Sequence, residues 1–282
     1  MKKILKDYYH MDVDYIQNGY FIYQQRSYFI CRVDSSFMMI YSYYDYMIHM
    51  LNIHGYRIIK NCFQQTMSQN YILFEYQDEQ IDMNNYIRYS LQIIPISTLR
   101  ICDIKESWIQ KVDDVRDEIS KYSYSFEYDK DLNALLHYYC GLCENGICLL
   151  NEILFLNKNA VVPMTLTLNY PVQYYYQLLN PCHYTLSSRA KQIYILLTSE
   201  VMSFSSLKQF IEESYFDVFE LLYLYARMFY PSVFFEAVLK EEMDYQKIKY
   251  FLNQYKIELN CIKQMYDIIS QYVTLPKMSW IE

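Results

Sequence analysis

The hydrophobic pattern of this chain changes period near residue 78, and that change limits the fold to a strand-rich part followed by a helix-rich one. Before it, GYFIYQQRSYFICRV from Gly19 to Val33 carries two aromatic and β-branched runs parted by Gln24, Gln25 and Arg26, which predicts a β-hairpin. Phe37, Ile40, Tyr41, Tyr44, Ile48 and Leu51 then recur at helical spacing. Ser35 or Ser36 suits the N-cap of that helix and Gly55 its C-terminal stop. YRIIKNCF and NYILFEY predict two more strands, the second ending near Tyr76.

Beyond residue 78 the helical period dominates. DIKESWIQKVDDVRDEISKY opens with the capping pair Asp103 and Glu106 and sets Ile104, Trp108, Val112, Val115 and Ile119 along one stripe. Helical patterns also cover Asp131 to Tyr139, Ser187 to Leu197, Ser205 to Glu213, Phe216 to Met228 and most of Lys240 to Tyr272. No period of solenoid length repeats. The expectation is an α+β chain, with a sheet and one helix over residues 1–78 and a mainly helical part over 79–282.

The net charge of −7, with no run of Lys and Arg, argues against nucleic acid as a partner. In MKKILKDYYHMD only Ile4 and Leu5 precede Lys6 and Asp7, too little apolar length for a secretory signal. Asn159 to Ser188 holds no Asp, Glu, Lys or Arg. Pro163, Pro171 and Pro181, with Asn169, Gln173, Gln177 and Asn180, nevertheless speak against a membrane span there. The expectation is a soluble, intracellular protein whose 8 cysteines stay reduced. Its 35 tyrosines, against 4 glycines, read as amphipathic surface and core filler.

The stretch HYYCGLCENGICLLNE, His137 to Glu152, admits two kinds of chemistry. His137, Cys140, Cys143 and Cys148 are four residues of zinc-ligand type, at spacings of three, three and five. Structural zinc sites usually join two separated ligand pairs, whereas these sit in one short segment. A redox Cys-x-x-Cys pair wants a thioredoxin-like βαβ context, which the flanking pattern lacks. The cysteines otherwise read as small apolar residues. The alternative is a degenerate phosphotransferase catalytic loop, His-x-Asp with an Asn five residues after the Asp. Counting back from Asn145 puts Cys140 at the Asp position and Tyr138 at the His position. A neutral thiol does not orient or deprotonate a hydroxyl as a carboxylate does.

Several phrases, in order along residues 15 to 282, resemble a known group: LNIHGYRIIKNCFQQTMSQNYILFEY, DIKESWIQKVDDV, NPCHYTLSSRAKQIYILL, YARMFYPSVFFE and LPKMSWIE. The chain resembles the spore coat proteins of kinase-like fold (CotS type), a branch of the aminoglycoside phosphotransferase and choline kinase superfamily. The resemblance implies a bilobal kinase-like fold, with a small strand-rich N-lobe and a larger helical C-lobe, and a role in the spore coat or its assembly.

Phosphoryl transfer needs a phosphate cradle, a cation on the phosphates, an acid that fixes it, a base and metal-binding acids. No glycine lies between Gly19 and Gly55, so a glycine-rich loop is excluded there. The resemblance puts Arg32 of YFICRV where active relatives carry lysine, with Asp45 as a candidate vestigial partner; the two otherwise read as separate solvated charges. From Ile153 through Ser199 there is no Asp and no Glu, so the acid that would hold Mg²⁺ is missing. TLSSRA, Thr185 to Ala190, is the acid-free form of a family phrase that normally carries Asp at both ends. The expectation is a pseudokinase without catalytic residues or cofactor that works by binding other proteins, spore coat components among them. Tyr174, Tyr175 and Tyr176 in QYYYQ are the expected contact surface. The runners-up are an atypical small-molecule phosphotransferase and a zinc-stabilised binding module. Trp108 and Trp280 are expected in the core, and Arg227 beside a backbone or carboxylate partner.

Overall fold

A computed structural model describes residues 1–33, 41–46, 57–77, 91, 95–122, 129–168, 180, 183–240 and 242–276. The expected helix from Phe37 to Leu51 is helical over residues 41–46, and its remainder, with Gly55, Tyr174 to Tyr176 and Trp280, lies outside the described residues. The chain is mixed α+β and divides into two compact units, Met1–Ile96 with Thr165–Gln192, and Ser97–Met164 with Ile193–Glu282.

The first unit opens with α1 (Lys2–Tyr9), which buries Ile4, Leu5 and Tyr9. His10 closes it in the left-handed region at φ 55°, its N–H donating to the Leu5 carbonyl. The strands are β1 (Tyr20–Tyr23), β2 (Arg26–Arg32), β3 (Arg57–Ile59), β4 (Met67–Ser68) and β5 (Tyr71–Tyr76). They form an antiparallel sheet in the order β1-β2-β5-β3, with β4 also paired to β5. β2 is buried on both faces, so its sequence shows a continuous apolar run rather than alternation. Phe21, Tyr28, Ile30 and Leu73 pack with Ile4, Leu5 and Tyr9 of α1 on one face. Phe29, stacked on Tyr20 at 4.6 Å and on Phe74 at 6.1 Å, belongs to the other.

Glycine scarcity leaves its mark on the turns. Gln24 and Gln25 at the β1–β2 turn have φ of 48° and 65°, and Gln69 and Asn70 at the β4–β5 turn have 48° and 64°. Two-residue hairpins need positive φ at both positions, a geometry that Asn-Gly meets with least steric cost. Gly19, at φ 90°, is not replaceable in the same way: a Cβ there would meet the Ile30 carbonyl oxygen at 2.5 Å. Asn61 fixes the loop before β4. Its Oδ1 accepts from the N–H groups of Phe63 and Gln65, and its Nδ2 donates to Ser68 Oγ at 2.8 Å.

The second unit is mainly helical: α2 (Ile101–Tyr122), α3 (Asp129–Leu156), α4 (Arg189–Thr198, whose first residues belong to the first unit), α5 (Phe204–Glu213), α6 (Val218–Arg227), α7 (Ser232–Leu239) and α8 (Tyr245–Ile269). Ser203, Asp217 and Asp244 cap α5, α6 and α8, each side chain accepting from a backbone N–H three residues on. α2 buries Ile104, Trp108, Val112 and Val115, with Ile119 only half-buried. Asp103 does not cap it. The helix begins two residues earlier, at Ile101, and Asp103 instead takes two hydrogen bonds from the Arg100 guanidinium at 2.9 and 2.6 Å.

Past residue 78 the structure also has strands that the helical pattern concealed: β6 (Ser97–Arg100), β7 (Val161–Leu168) and β8 (Tyr184–Ser188), in the order β6-β7-β8. VVPMTLTL carries the β-branched signal for β7, inside the uncharged stretch Asn159 to Ser188.

Replacing Gln24 by Asn together with Gln25 by Gly is expected to raise unfolding free energy by about 1 kcal/mol. Denaturant unfolding of the double variant against the wild type measures it.

Candidate functional site

Helix α3 carries every residue that both readings of HYYCGLCENGICLLNE require. A catalytic loop offers its base from irregular backbone, but Tyr138, Cys140 and Asn145 are interior positions of a 28-residue helix. Asn145 Nδ2 donates to the Gly141 carbonyl one turn back, at 2.9 Å. Gly146 lies against Trp108 and Phe229, where an added Cβ would come within 3.0 Å of both side chains. This face of α3 packs into the core instead of lining a cleft.

The zinc arrangement does not form either. On one helix His137 and Cys148 are separated by about 16 Å along the axis; both are exposed, whereas Cys140 and Cys143 are buried. Among the described residues no group of three His, Cys, Asp or Glu gathers as a metal site. Burial pushes the Cys140 thiol up from its ordinary range, with Arg116 opposing, and pushes Cys143 up as well. Thiolate is the form that ligates and attacks, so both sulfurs are held in the inert form. Lys130–Leu156 of α3 is long and apolar enough, by length and composition, to cross a membrane; here it packs against α2, α6 and α8.

In the first unit, Arg32 ends β2 opposite Tyr71, with its side chain exposed. Asp45 sits partly buried in the helical residues 41–46, one turn from Tyr41. Burial raises the Tyr41 phenol, and the Asp45 charge adds to the rise.

The chemically unusual cluster lies elsewhere, in the core of the second unit. Arg227, 4% exposed, ends α6. Its Nη1 donates to the Tyr230 carbonyl at 2.8 Å and its Nη2 to Ser232 Oγ at 3.2 Å. The guanidinium lies over the Tyr194 ring at 4.4 Å and the Tyr230 ring at 5.2 Å, and Trp108 stacks on Tyr230 at 4.6 Å. Tyr194 in turn donates its hydroxyl to Glu258 Oε1 at 3.0 Å. Glu258 is 6% exposed. Burial lifts its carboxyl to about 7, while the Tyr194 and Tyr139 hydroxyls and the Arg227 charge pull it down. Trp108 lies in the core and Arg227 meets a backbone carbonyl, as expected of each. Glu258 and Tyr194 were not anticipated, although one signal was present. In α8, Phe251, Glu258, Ile262, Met265 and Ile269 share the buried stripe, so a carboxylate occupies an apolar position of the period.

The cluster is closed to solvent, so its groups act on one another rather than on a bulk substrate. No family model matches the chain, and neither a curated protein nor a solved structure matches it.

Arg227→Met keeps the stem but removes two hydrogen bonds and the cation–ring contacts. It is expected to lower unfolding free energy by about 2–4 kcal/mol, read as a lower urea midpoint at unchanged slope. Cys143→Ser, which buries a hydroxyl, is expected to cost about 1–3 kcal/mol. Elemental analysis of the wild type is expected to find substoichiometric zinc.

Proposed function

We propose that this chain is a non-catalytic protein of kinase-like layout that acts by binding other proteins, with the spore coat as its setting. The observation that carries the first part is the placement of Tyr138, Cys140 and Asn145 inside α3, together with the acid-free run from Ile153 to Ser199. A phosphotransferase needs a carboxylate base and a carboxylate for its metal, and the sequence supplies neither at the expected places. The layout in which β1, β2, the helical residues 41–46, β3 and β5 precede a mainly helical unit supports the kinase-like reading. The coat assignment rests on the resemblance of the quoted phrases. Exposed Phe155 at 86% and Tyr215 at 85% are the kind of side chain that protein interfaces enrich.

Thermal unfolding with ATP, with and without Mg²⁺, tests the catalytic half. A ligand at a hundred times its dissociation constant adds about 2.7 kcal/mol of apparent stability. No Mg²⁺-dependent shift is expected near millimolar ATP. A shift lost on chelation would instead favour the small-molecule phosphotransferase.

The binding half is tested in sporulating cells. The protein is expected in the coat fraction and its transcript only during sporulation. Replacing Tyr174, Tyr175 and Tyr176 by Ser is expected to release a folded protein from that fraction. A wild-type protein made throughout vegetative growth counts against the coat assignment, and a folded variant retained in the coat counts against this contact surface.

A further inference from the structure

Helices of the second unit close on one ionisable group. Glu258 lies in the buried stripe of α8. Tyr138 and Tyr139 of α3 sit within reach of its charge, Tyr194 of α4 donates to it, and Arg227 of α6 acts on it as the cation. From α8 itself Tyr250 and Cys261 sense the same charge, and Tyr255 packs edge-on against Tyr138 at 5.6 Å. α5, which also packs on α8, brings Glu212 to the Tyr272 hydroxyl past the end of α8.

The hydrogen bonds are uneven. Oε1 accepts a hydrogen bond from Tyr194 at 3.0 Å, whereas Oε2 has no equally close donor among the described residues; the Tyr139 hydroxyl stands near the carboxylate and, like Tyr194, favours its charged form. Arg227 directs Nη1 and Nη2 to Tyr230 and Ser232. An ionised carboxylate in such a site would be held by phenol hydroxyls, with no cation in ion-pair contact among the described residues, and a low-dielectric interior penalises that charge heavily. A proton on the carboxyl removes the charge and supplies a donor toward the neighbouring phenol oxygens. We infer that Glu258 is a proton-operated latch: protonated, it lets α8 close against α3, α4 and α6, and its ionisation loosens that closure.

The direction follows from linkage. The folded carboxyl is raised from 4.5 to about 7. Its contribution is therefore fully present below the unfolded value and is lost as pH rises through about 7. The folding equilibrium constant is expected to fall on the order of a hundredfold from this group between pH 4.5 and 8.

Unfolding of the full chain, followed across that range, compares wild type with Glu258→Gln. The variant is expected to lose the wild-type fall between pH 5 and 8. Hydrogen-exchange protection of α8, corrected for intrinsic rates, is expected to weaken with pH in the wild type alone. Equal pH profiles in the two proteins overturn the latch. Tyr194→Phe keeps the ring beneath Arg227 but removes the donor to Oε1, and is expected to move the wild-type transition to higher pH. Should Glu258→Gln fail to fold, an unmoved transition in Tyr194→Phe overturns the proposal by itself.

Discussion

The absence of a side chain at Gly146 sets the spacing of the second unit. A Cβ at that position would meet the Trp108 ring and the Phe229 side chain at 3.0 Å each and the Ala226 carbonyl oxygen at 3.4 Å, so glycine suits the close approach of α2 and the end of α6 to α3. Trp108 then reaches Tyr230 and stacks on it with the planes 14° apart. One turn along α7, Phe234 stacks on Tyr139 of α3 at 4.3 Å and meets Phe251 of α8 at 5.0 Å. The aromatic contacts thus run from α2 through α7 to α8, and an added methyl at the first crossing would require Trp108 and Phe229 to shift by a few tenths of an ångström.

The same packing limits what α3 can offer chemically. A helix satisfies its own backbone N–H and C=O groups, so a segment buried as α3 is has no exposed amides to offer a phosphate and no freedom to aim a base. Cys140 and Cys143 fill the space of small apolar side chains, and their burial disfavours the thiolate. What the core retains of polar chemistry is the chain from Arg227 through Tyr194 to Glu258, in which each group is held by another buried group. Taking away one partner of such an arrangement costs more than the bond itself, because the other partner is left desolvated.

Local signals were strong where one element determines its own geometry. The hairpin around Gln24 and Gln25 was legible because two β-branched and aromatic runs flank a short polar gap. α5, α6 and α8 were legible because apolar residues recur at the helical period behind Ser203, Asp217 and Asp244. α2 was legible except at its start, where Asp103 bonds to the Arg100 side chain in place of the backbone. His137 to Glu152 lies inside α3 because the apolar period runs unbroken through the stretch, a feature that the spacing of its His, Cys and Asn residues does not reveal. β7 was missed because Pro163 and the lack of charge drew attention to the membrane question, although Val161, Val162, Thr165 and Thr167 favour a strand.

By itself the sequence determined the class, a strand-rich part followed by a mainly helical one, since the periods of two and 3.6 residues are properties of single elements. It also determined that a glycine-rich phosphate loop has no place between Gly19 and Gly55, and that residues 153 to 199 offer a metal no carboxylate. Only the tertiary structure decided that residues 165–192 join the first unit, and that Tyr139, Tyr194, Arg227 and Glu258 meet in the second. Those four residues lie on four helices, far apart along the chain. Nothing in any one helix specifies the partner that its buried polar group will find, because that is settled by which faces the apolar stripes bring together.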